Sequence, residues 1–274
     1  MIATNDPNIP LGKKISHSRQ YDPGQLFALH RADARSSLGI GTKLPFYGAD
    51  FWNAYEISWL NEQGKPCVAM AEIIFPITST HIIESKSLKL YLNSFNQTYF
   101  NSPREVAAAI ERDLCRVAVG DVAVELTLPS QFYLSKLTEP EGICLDNQEI
   151  QIDQYHLFPD FLVSGGQRGS ERLFSNLLKT NCPVTGQPDW ATVVIDYTGH
   201  RINHAGLLRY LVSFREHTGF HENCVERIFV DIKRRCNPEK LFVHACFTRR
   251  GGIDINPFRS SFPAVPENHR YTRQ

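Results

Sequence analysis

A pattern repeated at long range constrains this chain more than any other feature. Leu88, Tyr91, Leu92 and Phe95 stand at i, i+3, i+4 and i+7, one face of a helix. Leu207, Tyr210, Leu211 and Phe214 repeat that face 119 residues later. Val106, Ala109 and Ile110 mark a second helix, answered at the same offset by Val225, Ile228 and Phe229. The strand-like run from Val122 to Thr127 has a counterpart in Leu241 to Cys246, and Val68–Phe75 has one in Ala191–Tyr197. Two helices and a strand in one register predict a tandem duplication. Each half then reads β-β-α-α-β(-β), an antiparallel sheet with helices on one face. The expected class is α+β, with modules over residues 1–145 and 146–274 joined within Glu139–Asp153.

Local signals fill in the halves. Residues 53–60 and 67–75 alternate like strands, and Asn61-Glu62-Gln63-Gly64-Lys65-Pro66 between them predicts a hairpin. Ser102-Pro103-Arg104-Glu105 is a capping box with proline at the first helical position. Tyr21 to Arg35 predicts a short helix. No apolar run reaches the ~18 residues of a membrane span. Met1–Lys14 is polar and lacks the apolar stretch of a secretory signal. Seven cysteines without a CxxC pair point to reduced thiols in a cytoplasmic setting. Lys+Arg and Asp+Glu balance at 29 each, so no global nucleic-acid footprint exists. A local excess of Lys and Arg after Lys233 suits a phosphorylated small molecule, an RNA or a solvated tail equally.

Four stretches carry chemistry. Cys182-Pro183-Val184-Thr185-Gly186-Gln187-Pro188-Asp189 holds a thiol and a carboxyl on a tight loop feeding a strand, without a counterpart in the first half. Glu84-Ser85-Lys86-Ser87-Leu88-Lys89 opens a helix with backbone N–H groups, a serine and two lysines, which suits an anion such as phosphate. Phe220-His221-Glu222 precedes another helix, where a carboxylate can accept two parallel N–H bonds from a guanine-like edge. Arg249-Arg250-Gly251-Gly252 combines phosphate-binding charge with glycines that allow close backbone approach. Metal is not expected. The residue four after His221 is Val225, which cannot ligate, and His200 and His204 lack a thiol or acid partner in sequence. No Rossmann, Walker or nucleophile-elbow motif is present.

Together, Glu84–Tyr91, Cys182–Asp189 and Phe220–Glu222 resemble, in this order, the signatures of the NADPH-dependent 7-cyano-7-deazaguanine reductases, in their long two-module form. The resemblance implies tandem ferredoxin-like modules of the tunnelling fold, a homodimer, and reduction of 7-cyano-7-deazaguanine by two NADPH in tRNA queuosine synthesis. It makes Cys182 the nucleophile and Asp189 the general acid. Ile83, Glu84, Ser85, His221 and Glu222 become substrate-binding residues, and Ser85, Lys86, Arg250 and Gly251 hold NADPH. It implies neither membrane nor direct nucleic-acid partners. A thiolate is a fitting nucleophile for a weakly activated nitrile carbon, giving a thioimide on the way to the amine. The alternatives are a tunnelling-fold purine or pterin hydrolase, and a non-enzymatic purine- or tRNA-binding module.

Overall fold

Tyr91 and Tyr210, the repeated tyrosines, each make the same bond. In the computed structural model, which describes residues 20–274, Tyr91 Oη donates to Asp113 Oδ2 at 2.7 Å and Tyr210 Oη to Asp231 Oδ2 at 2.8 Å. Ser94 Oγ and Ser213 Oγ donate to the carbonyls of those tyrosines, both at 2.6 Å. The duplication is therefore visible in buried polar detail as well as in apolar pattern. Its register needs one correction. The first helix of each pair matches at 119, but the second matches at 118, from Asp113 to Asp231 and from the left-handed cap Val119 to the left-handed cap Asn237. The loop between the paired helices is one residue shorter in the second half, so Val106 faces the core where Cys224 does.

The chain divides into two units that interleave along the sequence. Leu38–Gly48 groups with the second unit and Arg249–Ile255 with the first. The first unit contains β1 (Ala28–His30), α1 (Arg31–Ser36), β2 (Tyr47–Leu60, mostly), β3 (Pro66–Pro76), β4 (His81–Ile83), α2 (Ser85–Asn93), α3 (Pro103–Ala118) and β5 (Ala123–Thr127). Strands β3 and β2 form the expected hairpin, with β5 antiparallel on the other side of β3. Ala69, Ala71, Ile73 and Phe75 alternate onto the face that buries Leu88, Tyr91, Leu92, Phe95, Val106 and Ile110. The helices thus cover one face of the sheet, as expected. The helix expected over Tyr21–Arg35 is instead a 3-10 turn at Pro23–Gln25, then β1, then α1, because β1 finds a partner in β4. The polar stretch Met1–Lys14 lies outside the described residues.

The second unit contains β6 (Leu137–Thr138), β7 (Ile143–Cys144), β8 (Ser164–Asn181), β9 (Pro188–Ile202), α4 (His204–Val212), α5 (His221–Cys236), β10 (Lys240–Phe247), most of β11 (Ile253–Ser260) and β12 (Arg270–Tyr271). Its strands run β11-β10-β9-β8-β7, antiparallel except at β7–β8. Ala191, Val193, Ile195 and Tyr197 point to one face together with Leu241, Val243, Ala245 and Phe247, their cross-strand partners. Val194 and Cys246 lie on the opposite face, covered by Tyr271. Among the described residues, no helix is long and apolar enough to cross a membrane.

One buried histidine and one half-buried one make this unit acid-sensitive. Burial pulls the His244 imidazole down to about 4, helped by His269, and pulls His217 down to about 4, helped by Arg227. The unfolded chain therefore takes up these protons first as pH falls from the ordinary value near 6.5. Their stability contribution is full above that pH and is lost between about 6.5 and 4, at roughly 1 kcal/mol per pH unit for each histidine. Urea unfolding at pH 7 and pH 5 should show the drop, and His244→Gln should flatten it. A midpoint independent of pH over this range contradicts the reading.

Candidate active site

Hairpin geometry brings Cys182 to Asp189. In the β8–β9 ladder, Thr180 faces Asp189 and Asn181 faces Pro188. The loop then closes with Cys182 N donating to Gln187 O at 2.8 Å and Gly186 N to Cys182 O at 3.0 Å. Gly186 has φ +67°, a left-handed conformation that a side chain would strain. Cys182 therefore lies diagonal to Asp189 across the ladder, a separation of roughly 7–8 Å, with both on one side of the hairpin. The loop also has a positional counterpart after all. It joins β8 to β9 as Asn61–Lys65 joins β2 to β3, but the first-half turn carries no thiol.

His221 and Glu222 arrive from the other direction, in the first turn of α5. Asp189 is on the helix-covered face of β9 and Phe247 on the same face of β10, so both meet this turn. His221 Nε2 lies 3.5 Å from Asp189 Oδ2, and its ring rests on Phe247 with centroids 4.0 Å apart. Glu222 is buried, as are Asp189 and Cys182. Cys224 is also buried, and burial pushes its thiol up to about 12; the Thr180 hydrogen bond pulls it back, while the charges of Asp189 and Glu222 add smaller upward pushes. Cys224 thus stays a neutral thiol, unfit as a nucleophile at neutral pH. The cluster of Cys182, Asp189, His221 and Glu222 offers a thiol, a proton carrier oriented by an imidazole, and a buried carboxylate for a polar edge.

The remaining expected residues collect in the first unit. Ile83 ends β4, and Glu84 caps α2 with its carboxylate accepting from Lys86 N at 2.9 Å and Ser87 N at 2.8 Å. Burial raises the Glu84 pKa, while those two N–H groups and the Lys89 and Lys86 ammoniums pull it back. Ser85 and Lys86 open the helix. Arg250 closes a turn onto Ile253, with Gly251 at φ +56°, where an added Cβ would sit 3.0 Å from Lys89 Nζ. Gly251 therefore leaves room for the lysine. Arg249 stacks over Tyr55 at 4.6 Å, and Tyr55 Oη donates to Asp254 at 2.6 Å. Lys86, Lys89, Arg249 and Arg250 beside a helix N-terminus fit the phosphates of a dinucleotide in donor type and charge.

Residues 17–126 match the family described as nitrile reductase, 7-cyano-7-deazaguanine-reductase N-term, and residues 188–264 match that described as QueF-like protein. An NADPH-dependent 7-cyano-7-deazaguanine reductase of Desulfotalea psychrophila is 55% identical over 276 residues, covering 100% of both chains. The chain belongs to the NADPH-dependent 7-cyano-7-deazaguanine reductase family. A reductase of the same name from Burkholderia thailandensis is 51% identical, covering 98% of this chain and 100% of its own. The apo crystal structure of an archaeosine synthase QueF-Like shares 20% identity, with a TM-score of 0.30, over 38% of this chain and 96% of that one. Within the reductase family match, the first segment contains Ile83–Lys86, and the second contains Asp189, His221, Glu222, Arg250 and Gly251.

His200 and His204 do not form a helical i, i+4 pair. His200 is on β9, 3.0 Å from the Gly166 carbonyl, while His204 starts α4, 3.3 Å from Glu171. Phe247 and Thr180 were not anticipated as site residues. Their signal is strand register, which places them on the face of Asp189.

Proposed function

We propose that this chain reduces the nitrile of 7-cyano-7-deazaguanine to the aminomethyl group, using NADPH, before the base enters tRNA. The observation that carries the reading is the Cys182–Asp189–His221–Glu222 cluster, in a chain 55% identical along its whole length to a reductase of that name. Cys182 attacks the nitrile carbon and forms a C–S bond, while the π electrons move to nitrogen. Asp189 delivers a proton to that nitrogen, giving a thioimide with no atom lost. His221, against Asp189 and with its ring tilted 38° on Phe247, holds the acid in place and passes it a proton. Glu222 accepts from an N–H edge of the base, and Ile83, Glu84 and Ser85 are also assigned to substrate binding. Burial of Cys182 and Asp189 keeps water from the reacting carbon. Ser85, Lys86, Arg250 and Gly251 would hold NADPH, each molecule of which when bound supplies one of the two hydrides that a nitrile-to-amine reduction requires.

We further propose a homodimer in the cytoplasm, with no metal. The test is NADPH oxidation measured with and without the nitrile. Two NADPH consumed per amine formed supports the reading, and oxidation independent of nitrile overturns it. In the same assay Asp189→Asn should keep the fold and lose roughly 100-fold or more in kcat, the usual scale for a positioned acid. Full activity would remove Asp189 from that role.

A further inference from the structure

Asn181 immediately precedes the nucleophile and has more specific bonds than its place at a strand end requires. Its backbone N donates to the His217 carbonyl at 2.8 Å, and its carbonyl accepts from Gly219 N at 3.1 Å, a parallel bridge to Thr218. Its side-chain Nδ2 donates to the Arg215 carbonyl at 3.2 Å and the His217 carbonyl at 3.4 Å. Its Oδ1 accepts from Lys179 Nζ at 2.6 Å, and the same ammonium donates to the Arg215 carbonyl at 2.7 Å. The residues Arg215–Gly219 run straight into Phe220, His221 and Glu222. One amide therefore ties the strand that delivers the thiol to the segment that delivers the imidazole and the buried carboxylate.

We propose that Asn181, gripped by Lys179, is a positioning residue that fixes Cys182 relative to His221 and Glu222. Two strands could have been joined by backbone bonds alone. Here the side chain adds a second layer, and it reaches the Arg215 carbonyl, which the backbone bridge does not use. A Cβ at Gly219 would come 3.2 Å from His217 Nε2 of the same segment and 3.4 Å, an ordinary contact, from Cys224 Sγ on α5. A misplacement of about 1 Å in a covalent step can cost on the order of 100-fold.

The inference rests on the nitrile-reductase reading for its kinetic readout, so the test has a second readout that does not. In Asn181→Ala, thioimide formation followed by rapid mixing should slow 10-fold or more. Nitrile affinity, measured in the Cys182→Ala background with and without the Asn181 change, should stay within twofold. Asn181→Asp should be as slow, because a carboxylate cannot donate to the two carbonyls. Lys179→Met, which leaves the amide in place without its grip, should slow the step severalfold. Independently, alkylation of Cys182 by iodoacetamide, mapped by peptide mass with the other six cysteines as internal controls, should change severalfold in Asn181→Ala. Unchanged alkylation and adduct rates in a folded Asn181 variant overturn the proposal. If Asn181 variants do not fold, wild-type rates in Lys179→Met overturn it. If the wild-type protein forms no adduct, the functional reading fails, and alkylation alone decides on Asn181.

Discussion

Cys182→Ala is expected to abolish both the covalent adduct with 7-cyano-7-deazaguanine and nitrile-dependent NADPH oxidation. The wild-type protein should gain the whole mass of the nitrile, since addition to a triple bond expels no leaving group. The variant should gain nothing. Turnover should fall by several orders of magnitude, the scale on which removal of a covalent nucleophile acts. The structure limits the ways around this result. The other thiol next to Asp189 and Glu222 is Cys224, pushed up to about 12 by burial and by those two charges, so it carries almost no thiolate at neutral pH. Cys182 is on the hairpin loop, on the side of the hairpin facing Asp189, where attack and proton delivery can be coupled. The fold should survive, because Cys182 bonds through its backbone N and O to Gln187 and Gly186, and alanine keeps both bonds. Intact mass spectrometry and thermal unfolding of the variant together check the prediction. An adduct on the variant, or one mapped to Cys224, would displace Cys182 from its role.

Much of this arrangement was legible in the sequence, for identifiable reasons. Helices α2 and α4 are short, fully amphipathic and opened by polar caps, Glu84 and Asn203, so periodicity and cap chemistry agreed. Helices α3 and α5 were also legible, but a single offset hid the one-residue slip between them, because their apolar faces are broad enough to match at either 118 or 119. Strand β8 was invisible. Register shifts at Gly165/Arg168 and at Ser175/Leu178 break its alternation, so no period of two survives along its length. That loss concealed why Cys182 and Asp189 meet. Without β8 the loop seems to feed one strand, whereas it is the turn of a hairpin. The interleaving of Leu38–Gly48 and Arg249–Ile255 between the units was equally hidden, because duplication reports descent of segments and not which unit they pack in. Residue type and spacing singled out the stretches holding Cys182, Glu84, Glu222 and Arg250, whereas the placement of Phe247, Thr180 and Asn181 depended on register.

Arg259→Leu should be the most destabilising single change in the second unit, by about 3–5 kcal/mol. Arg259 on β11 is fully buried, and its Nη2 and Nε lie 2.9 Å and 3.2 Å from Glu226 Oε1, itself 1% exposed. Nη1 donates to the Phe258 carbonyl at 2.8 Å, and the guanidinium lies 5.4 Å from the centre of the Phe46 ring. Leucine matches part of the volume but supplies neither the charge nor the donors, so the Glu226 carboxylate loses its counter-charge in a low-dielectric setting. Glu226→Leu should cost a similar amount from the other side. The double variant should recover much of the loss, since two apolar groups of suitable volume can replace a buried ion pair at little cost. A functional effect should accompany the single changes. Glu226 follows Glu222 by one turn of α5, on the same helical face, so a disturbed pair shifts the turn that carries His221 and Glu222. The nitrile KM should therefore rise in either single variant and return toward the wild-type value in the double. Urea unfolding of the four proteins gives the stability cycle, and steady-state kinetics gives the second. Single variants within about 1 kcal/mol of wild type would overturn the assignment of this cost to the buried pair. Recovery of stability without recovery of KM would show that the pair orients the α5 start by its geometry, beyond holding the helix in the fold.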